Sequence, residues 1–111
     1  MTSLFTVSIS CANLEEAERV ARRLVEDRLA ACVQVHPIRS FYMWQEKLEE
    51  ADEVLLVAKT LESKLDALEA SVKALHSYEV PEIVATCIEF VNAEYAEWFR
   101  SVLPEDDIYE E

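Results

Sequence analysis

The chain contains no glycine in 111 residues, against a usual share of about 7%. Every turn must therefore be made by residues that carry a side chain, and wherever φ must be positive that side chain is a steric burden. At positions whose native backbone tolerates a side chain, the lack of glycine lowers the entropy of the unfolded chain and stabilises by about 0.4 to 1 kcal/mol each. A stiff, stable molecule is expected. Basic residues are scarce too, with 10 Lys and Arg against 23 Asp and Glu and a formal charge of −13. That field repels phosphate backbones and anionic headgroups, and no basic stripe offsets it, which excludes nucleic acid and membrane surfaces as expected partners. Apolar runs are short: a stretch such as Val54 to Ala58 is far below the roughly 20 residues that a membrane helix needs. No basic region leads into an apolar signal segment at the N-terminus, so the expected location is the cytoplasm. The three cysteines, Cys11, Cys32 and Cys87, are an odd number and read as reduced thiols in a reducing compartment.

What is present fits one domain. Hydrophobic residues make up 51% of the chain, enough for one ordinary core, expected over residues 1–104 with an acidic tail at 105–111. From Leu4 to Ser10, Phe5, Val7 and Ile9 alternate with hydroxyl residues in the period of a half-buried strand. Asn13 with Glu16 three residues on reads as a capping box, opening a helix over Leu14 to Arg28. Ala31 to Trp44 reads as extended, turns near Gln45-Glu46-Lys47, and returns into Val54 to Ala58. Fourteen extended residues span roughly 46 Å at about 3.3 Å each, more than a small domain covers alone. Leu61, Leu65, Leu68, Val72 and Leu75 form the apolar stripe of a second helix, with Thr60 or Ser63 as its cap. Pro81 to Phe90 reads as a further strand, and Asn92 caps a last helix carrying Tyr95, Trp98, Phe99 and Val102 that stops before Pro104.

The predicted order is β, α, β, β, α, β and a closing helix: an α+β, ferredoxin-like βαββαβ chain with a long β-hairpin and a C-terminal helix. Helices would cover one sheet face. The strands carry apolar residues on both faces, most plainly at Val54 to Ala58, so a second copy of the chain is expected on the other.

The chemistry concentrates in His76-Ser77-Tyr78-Glu79-Val80-Pro81-Glu82, where an imidazole, a phenol, two carboxylates and a proline fall between a helix and a strand. His76 stands at a helix C-terminus, suited either to capping there or to binding copper, nickel or zinc through a neutral imidazole. Cys11 precedes the first helix, where the positive end of the dipole is expected to lower its thiol pKa, and a Cys11 and His76 pair would suit Cu(I). Cys32 reads either as a small buried hydrophobe or as a ligand; Cys87 reads as packing, and His36 as an ordinary strand histidine. The acids of Glu46 to Glu53 and of the tail lack calcium-loop spacing and read as solvated surface. No nucleophile beside a base, metal motif or phosphate-cradling loop points to an enzyme.

Together with Leu29-Ala30-Ala31-Cys32-Val33 and Ser40-Phe41-Tyr42-Met43-Trp44, the His76 segment resembles the CutA family of divalent-cation tolerance proteins, over about Val7 to Trp98. The resemblance implies a cytoplasmic homotrimer associated with copper and other metals, acting by binding and not by turnover. It implies further that Tyr42, Trp44, Lys59, Tyr78 and Glu82, with Cys32, line an intersubunit cleft at the hairpin. The chain departs from some members of the family at Ile9, where they carry cysteine, and at Leu75, where a first histidine precedes the second. A fold shared with the PII signalling proteins gives a second reading: a trimer that senses a small molecule in the cleft. A third assigns acid and base chemistry there to Glu82 and Lys59. An unidentified protein partner is compatible with each.

Overall fold

The computed structural model describes residues 2–104, so the acidic tail expected at 105–111 lies outside the described residues. Strand β1 (Leu4–Cys11) leads into helix α1 (Leu14–Glu26). The capping box forms as predicted. The Glu16 N–H donates to Asn13 Oδ1 at 2.8 Å, and Glu16 Oε1 reaches one residue behind the cap to accept from the Ala12 N–H at 3.1 Å. The helix stops two residues short of the predicted Arg28. Leu29 N–H donates to Leu24 C=O and Arg28 N–H to Val25 C=O, a Schellman closure whose left-handed position, usually glycine, is held by Arg28 at φ 60°.

β2 (Cys32–Trp44) and β3 (Lys47–Leu61) form the long hairpin, paired without interruption from Cys32 opposite Lys59 to Trp44 opposite Lys47. Its two-residue turn places Gln45 at φ 51° and Glu46 at φ 66°, the primed geometry that matches strand twist and ordinarily calls for Asn-Gly. The hairpin stretches the molecule to 51 × 28 × 24 Å. Along its outer part Phe41, Met43 and Leu48 are more than 60% exposed, an apolar surface that its own chain leaves uncovered.

After a 3-10 turn at Glu62–Lys64, helix α2 runs over Leu65–Leu75. It begins four residues later than predicted, because Leu61 is held in β3 opposite Leu4. Neither expected cap acts: the Thr60 hydroxyl donates to Leu29 C=O at 2.7 Å, and α2 has no side-chain cap. β4 (Ile83–Cys87) is shorter at both ends than the predicted Pro81 to Phe90. It pairs with β1 only from Ile9 to Phe5; beyond Ile9 the Ser10 carbonyl is taken by His76, and beyond Leu4 the partner strand ends. Helix α3 (Ala93–Val102) follows Asn92, whose side chain bonds to Glu94 and not to the helix backbone.

The four strands form one antiparallel sheet in the order β2-β3-β1-β4, the ferredoxin-like arrangement. On one face Val7, Ile9, Leu56 and Ala58 meet Val20 and Leu24 of α1 and Leu68 and Val72 of α2 in the main core. α3 closes a smaller cluster at one end of the sheet, where Phe99 and Leu103 pack with Leu4 and Leu61. By strand alternation Leu4 and Leu61 face away from the main core. Elsewhere on that second face Leu55 and Val57 are half-buried and Val84 is exposed.

The lack of glycine thus burdens three positions, Arg28, Gln45 and Glu46, where left-handed backbone costs a side-chain-bearing residue about 1 to 2 kcal/mol. Glu46→Gly should raise unfolding free energy by about 1 kcal/mol, read as a higher urea midpoint at unchanged slope. A lower midpoint would mean that the Glu46 side chain contributes more than its backbone strain removes.

Candidate functional site

The site grows from Glu16, a carboxylate in the first turn of α1 that is nearly buried. Besides closing the capping box it accepts from the Ser77 N–H at 2.7 Å and the Ser77 hydroxyl at 3.0 Å, tying the segment after α2 to the start of α1. Burial by itself would raise the Glu16 pKa. The hydrogen bonds from Ser77 and Ala12, with the nearby His76 ring, outweigh it and hold the carboxyl below its ordinary value.

This clamp sets the two neighbouring rings. His76 is fully buried as a side chain. Its Nε2 lies 2.7 Å from the Ser10 carbonyl, which can only accept, so Nε2 carries the hydrogen and donates. Nδ1 accepts from the Tyr78 N–H at 3.0 Å and lies 3.3 Å from Glu16 Oε2. Tyr78 stacks at a tilt on the imidazole, centroids 4.8 Å apart, and its phenol donates to Glu53 Oε2 at 2.5 Å. Burial, and then the hydrogen bond and charge of Glu53, push the Tyr78 pKa up, keeping the phenol protonated as the donor.

Glu53 lies at the edge of a cavity of about 720 Å³ between the hairpin and the His76–Glu82 segment. One wall comes from β2 as Ser40, Phe41, Tyr42 and Trp44, and the opposite wall from Ser77 to Val80 and Glu82. Ser10 and Glu53 complete the lining. Glu53, Glu79 and Glu82 all contribute, and no Lys, Arg or His is among the lining residues. Glu53 is only 6% exposed; one oxygen takes the Tyr78 hydroxyl, and the other, still reached by solvent, takes no hydrogen bond from the described residues.

Of the residues predicted for a cleft, Tyr42, Trp44, Tyr78 and Glu82 meet here. Lys59 and Cys32 of the same chain are not among its lining residues. They pair with each other at the far end of the hairpin, where Lys59 donates to Gln34 at 2.8 Å and Cys32 lies against Tyr95 of α3. Lys59 lies six positions along β3 from Glu53, about 20 Å of strand, so Lys59 and Glu82 of the same chain do not share this cavity.

The soft-metal pair meets a different obstacle. Cys11 is fully buried, and its thiol pKa is not lowered by the helix dipole as expected. Burial, and then the charges of Glu16 and Glu53, push it up to about 12. Copper binding needs a thiolate and a free imidazole nitrogen, whereas both His76 nitrogens are engaged. Cys11 and His76 as they stand do not fit a copper ion. Among the described residues no group of three or more His, Cys, Asp or Glu side chains is placed to hold a metal.

Sequence reasoning missed Glu53 by counting it with the solvated acids of Glu46 to Glu53. The available signal was period: Glu53 is in step with Leu55 and Val57 on one strand face and directly precedes Val54. It missed the clamp because nothing local relates Glu16 to Ser77, 61 positions apart.

The antiparallel sheet in the order β2-β3-β1-β4, with its long hairpin and helices on one face, defines a ferredoxin-like α+β protein. The chain belongs to the CutA1 divalent ion tolerance family, whose model matches residues 5–102. It is 45% identical over 92 residues, 83% of this chain and 90% of the relative, to the divalent-cation tolerance protein CutA of Archaeoglobus fulgidus. It is 46% identical over 104 residues to a CutA homolog of Xenopus laevis, covering 93% of this chain and 69% of that protein. Against human CutA it is 43% identical over 90% of its own length but 56% of the relative's. Among solved structures, CutA1 from Oryza sativa superposes with a TM-score of 0.91 at 40% identity, covering 95% of this chain and 97% of that one. Membership places the chain among ion tolerance proteins and not among enzymes.

Two outcomes test the site. Cys11 should resist alkylation at neutral pH while the exposed Cys87 reacts; equal rates would contradict the buried, protonated thiol. Glu16→Gln should cost about 1 to 3 kcal/mol at neutral pH in urea unfolding. Because the folded Glu16 pKa lies below its ordinary 4.5, its contribution is complete above that pH and is lost as pH falls through the folded value. The gap between wild type and variant should therefore close in acid, and a gap that widens would overturn the assignment.

Proposed function

We propose that this chain works as a homotrimer in divalent-cation tolerance, by binding and not by turnover, and that the cavity between hairpin and His76–Glu82 segment is its binding site. The observation that carries this reading is the lining: three carboxylates, one of them nearly buried, with no cationic side chain among them. Such a wall attracts cations and repels anions, and the formal charge of −13 adds to the pull. Carboxylates distributed around about 720 Å³ suit a divalent ion that keeps much of its water. The exposed Phe41, Met43 and Leu48 of the hairpin and the thinly covered second sheet face support assembly with two further copies. Three free thiols support a reducing compartment such as the cytoplasm.

Copper held by Cys11 and His76 is the weaker form of the reading, since it requires both residues to leave their present partners. The PII-like alternative, a trimer sensing a small molecule, gains from the molecule-sized volume and aromatic wall of the same cavity. An anionic metabolite gains nothing, because Lys59 stands at the far end of the hairpin.

Light scattering should give the mass of three chains; a monomer would overturn the assembly. Calorimetric titration with copper(II) and with magnesium should show saturable binding that Glu53→Gln weakens at least about tenfold, the cost of removing a charge from a desolvated pair, and that Cys11→Ser leaves unchanged. Binding lost in Cys11→Ser and kept in Glu53→Gln would move the site to the thiol.

A further inference from the structure

We propose that the cavity takes an organic polyamine, an alkyl chain with ammonium groups at its ends, held by Glu53 at one end and by the carboxylates of Glu79 and Glu82 at the other. This rests on the cavity being the binding site, as argued above, and goes on to name its ligand.

Three independent features point to this chemistry. The first is the unused oxygen of Glu53. In a carboxylate that lines the cavity, with the Tyr78 hydroxyl as its one hydrogen-bond donor among the described residues, that oxygen is a solvent-accessible acceptor with no described Lys, Arg or His among the lining residues. A carboxylate so placed favours a ligand that brings both N–H donors and positive charge. Tyr78 is itself fixed from behind by its N–H on His76, so the Glu53 carboxylate is preorganised.

The second is the aromatic wall. Tyr42 and Trp44, 41% and 43% exposed, both line the cavity. Ring faces attract ammonium groups and give methylene stems an apolar surface to lie on. A bare metal ion uses neither property, whereas a polyamine uses both.

The third is a mismatch between volume and ligand geometry. About 720 Å³ is the size of a small-molecule site. Direct coordination of a metal stripped of its water needs side chains converging on a point, and no set of three His, Cys, Asp or Glu does so among the described residues; a hydrated ion and a chain of ammonium groups do not need it. The carboxylates are instead distributed over the cavity, with Glu53 on the hairpin and Glu79 and Glu82 on the facing segment. Charges so spread match a ligand whose own charges are spaced along a chain.

The test uses the intact protein carrying Trp98→Phe, so that Trp44 is the sole tryptophan reporter, and titrates it with spermidine, with a neutral alkanediol of the same length, and with magnesium. Spermidine should saturate a change in Trp44 emission, with a one-to-one calorimetric stoichiometry per chain, and the diol should bind at least about tenfold more weakly, the loss of its charge-assisted contacts. Glu53→Gln should weaken spermidine by about tenfold or more, and Trp44→Leu, at a partly exposed position that leaves the core intact, by about threefold or more. No saturation by spermidine up to about 10 mM, the weak end of specific binding, would overturn the proposal, as would equal binding of the diol. So would binding unchanged in both variants, which would place the amine on the general acidic surface. Magnesium binding that Glu53→Gln abolishes, with spermidine inert, would sink the polyamine and keep the cavity as an ion site. Neither ligand binding in the cavity would sink the reading on which the proposal rests.

Discussion

Glu16 does two jobs with one carboxylate, and the geometry of the site depends on its doing both. At the start of α1 its Oε1 accepts from the Ala12 N–H, closing the capping box in which its own N–H donates to Asn13. As the acceptor for Ser77 it fixes where the chain goes after α2. From that point each contact determines the next: Ser77 fixes His76 and Tyr78, His76 reaches the Ser10 carbonyl, and Tyr78 presents its phenol to Glu53. A short polar relay therefore transmits position from the helix layer, past the edge of the central strand, to the opposite sheet face. Nearly every polar atom along it is satisfied, which gives such a network rigidity and a single arrangement. The cavity gets its shape from this relay on one side and from the hairpin on the other.

The relay also explains how a chain this acidic keeps carboxylates inside. Glu16 meets several donors and stays ionised at modest cost. Glu53 meets one phenol and leaves the rest of its capacity toward the cavity. Two buried acids in one connected network thus differ in what they lack, and that difference separates a structural carboxylate from one available to a ligand. The high pKa values of Cys11 and Tyr78 belong to the same balance: burial first, and then the negative charges of Glu16 and Glu53, keep both neighbours protonated.

Much of the fold was legible. The alternation of Phe5, Val7 and Ile9, the Asn13 and Glu16 box, and the Leu65, Leu68, Val72 and Leu75 stripe are local signals, and each marks its element correctly. The errors cluster where a distant residue decides. Leu61 continues the stripe of α2 by spacing, yet Leu4 holds it in β3; Thr60 reads as a cap, yet its hydroxyl serves the end of α1. At the site, Tyr42, Trp44, Tyr78 and Glu82 were legible because they sit in motif blocks. Within one chain Lys59 and Cys32 stand apart from those four because a long antiparallel hairpin sends nearby sequence to opposite ends. The helix dipole was the wrong guide for Cys11: a dipole argument assumes solvent access, and burial is a property of the whole fold.

The strand order β2-β3-β1-β4 has a consequence for how the chain comes off the ribosome. β1 is made first, yet it is a central strand whose neighbours are the third and fourth strands in sequence. Leu4 has no partner until Leu61 has been synthesised, and Phe5 none on its other side until Cys87. The hairpin, by contrast, closes on itself through a two-residue turn and zips locally. β1 must therefore wait with Val7 and Ile9 unpaired, then insert beside a hairpin edge that is already formed. Its alternating Thr6, Ser8 and Ser10 keep one side of that waiting strand polar, which guards a nascent chain against pairing with the wrong neighbour.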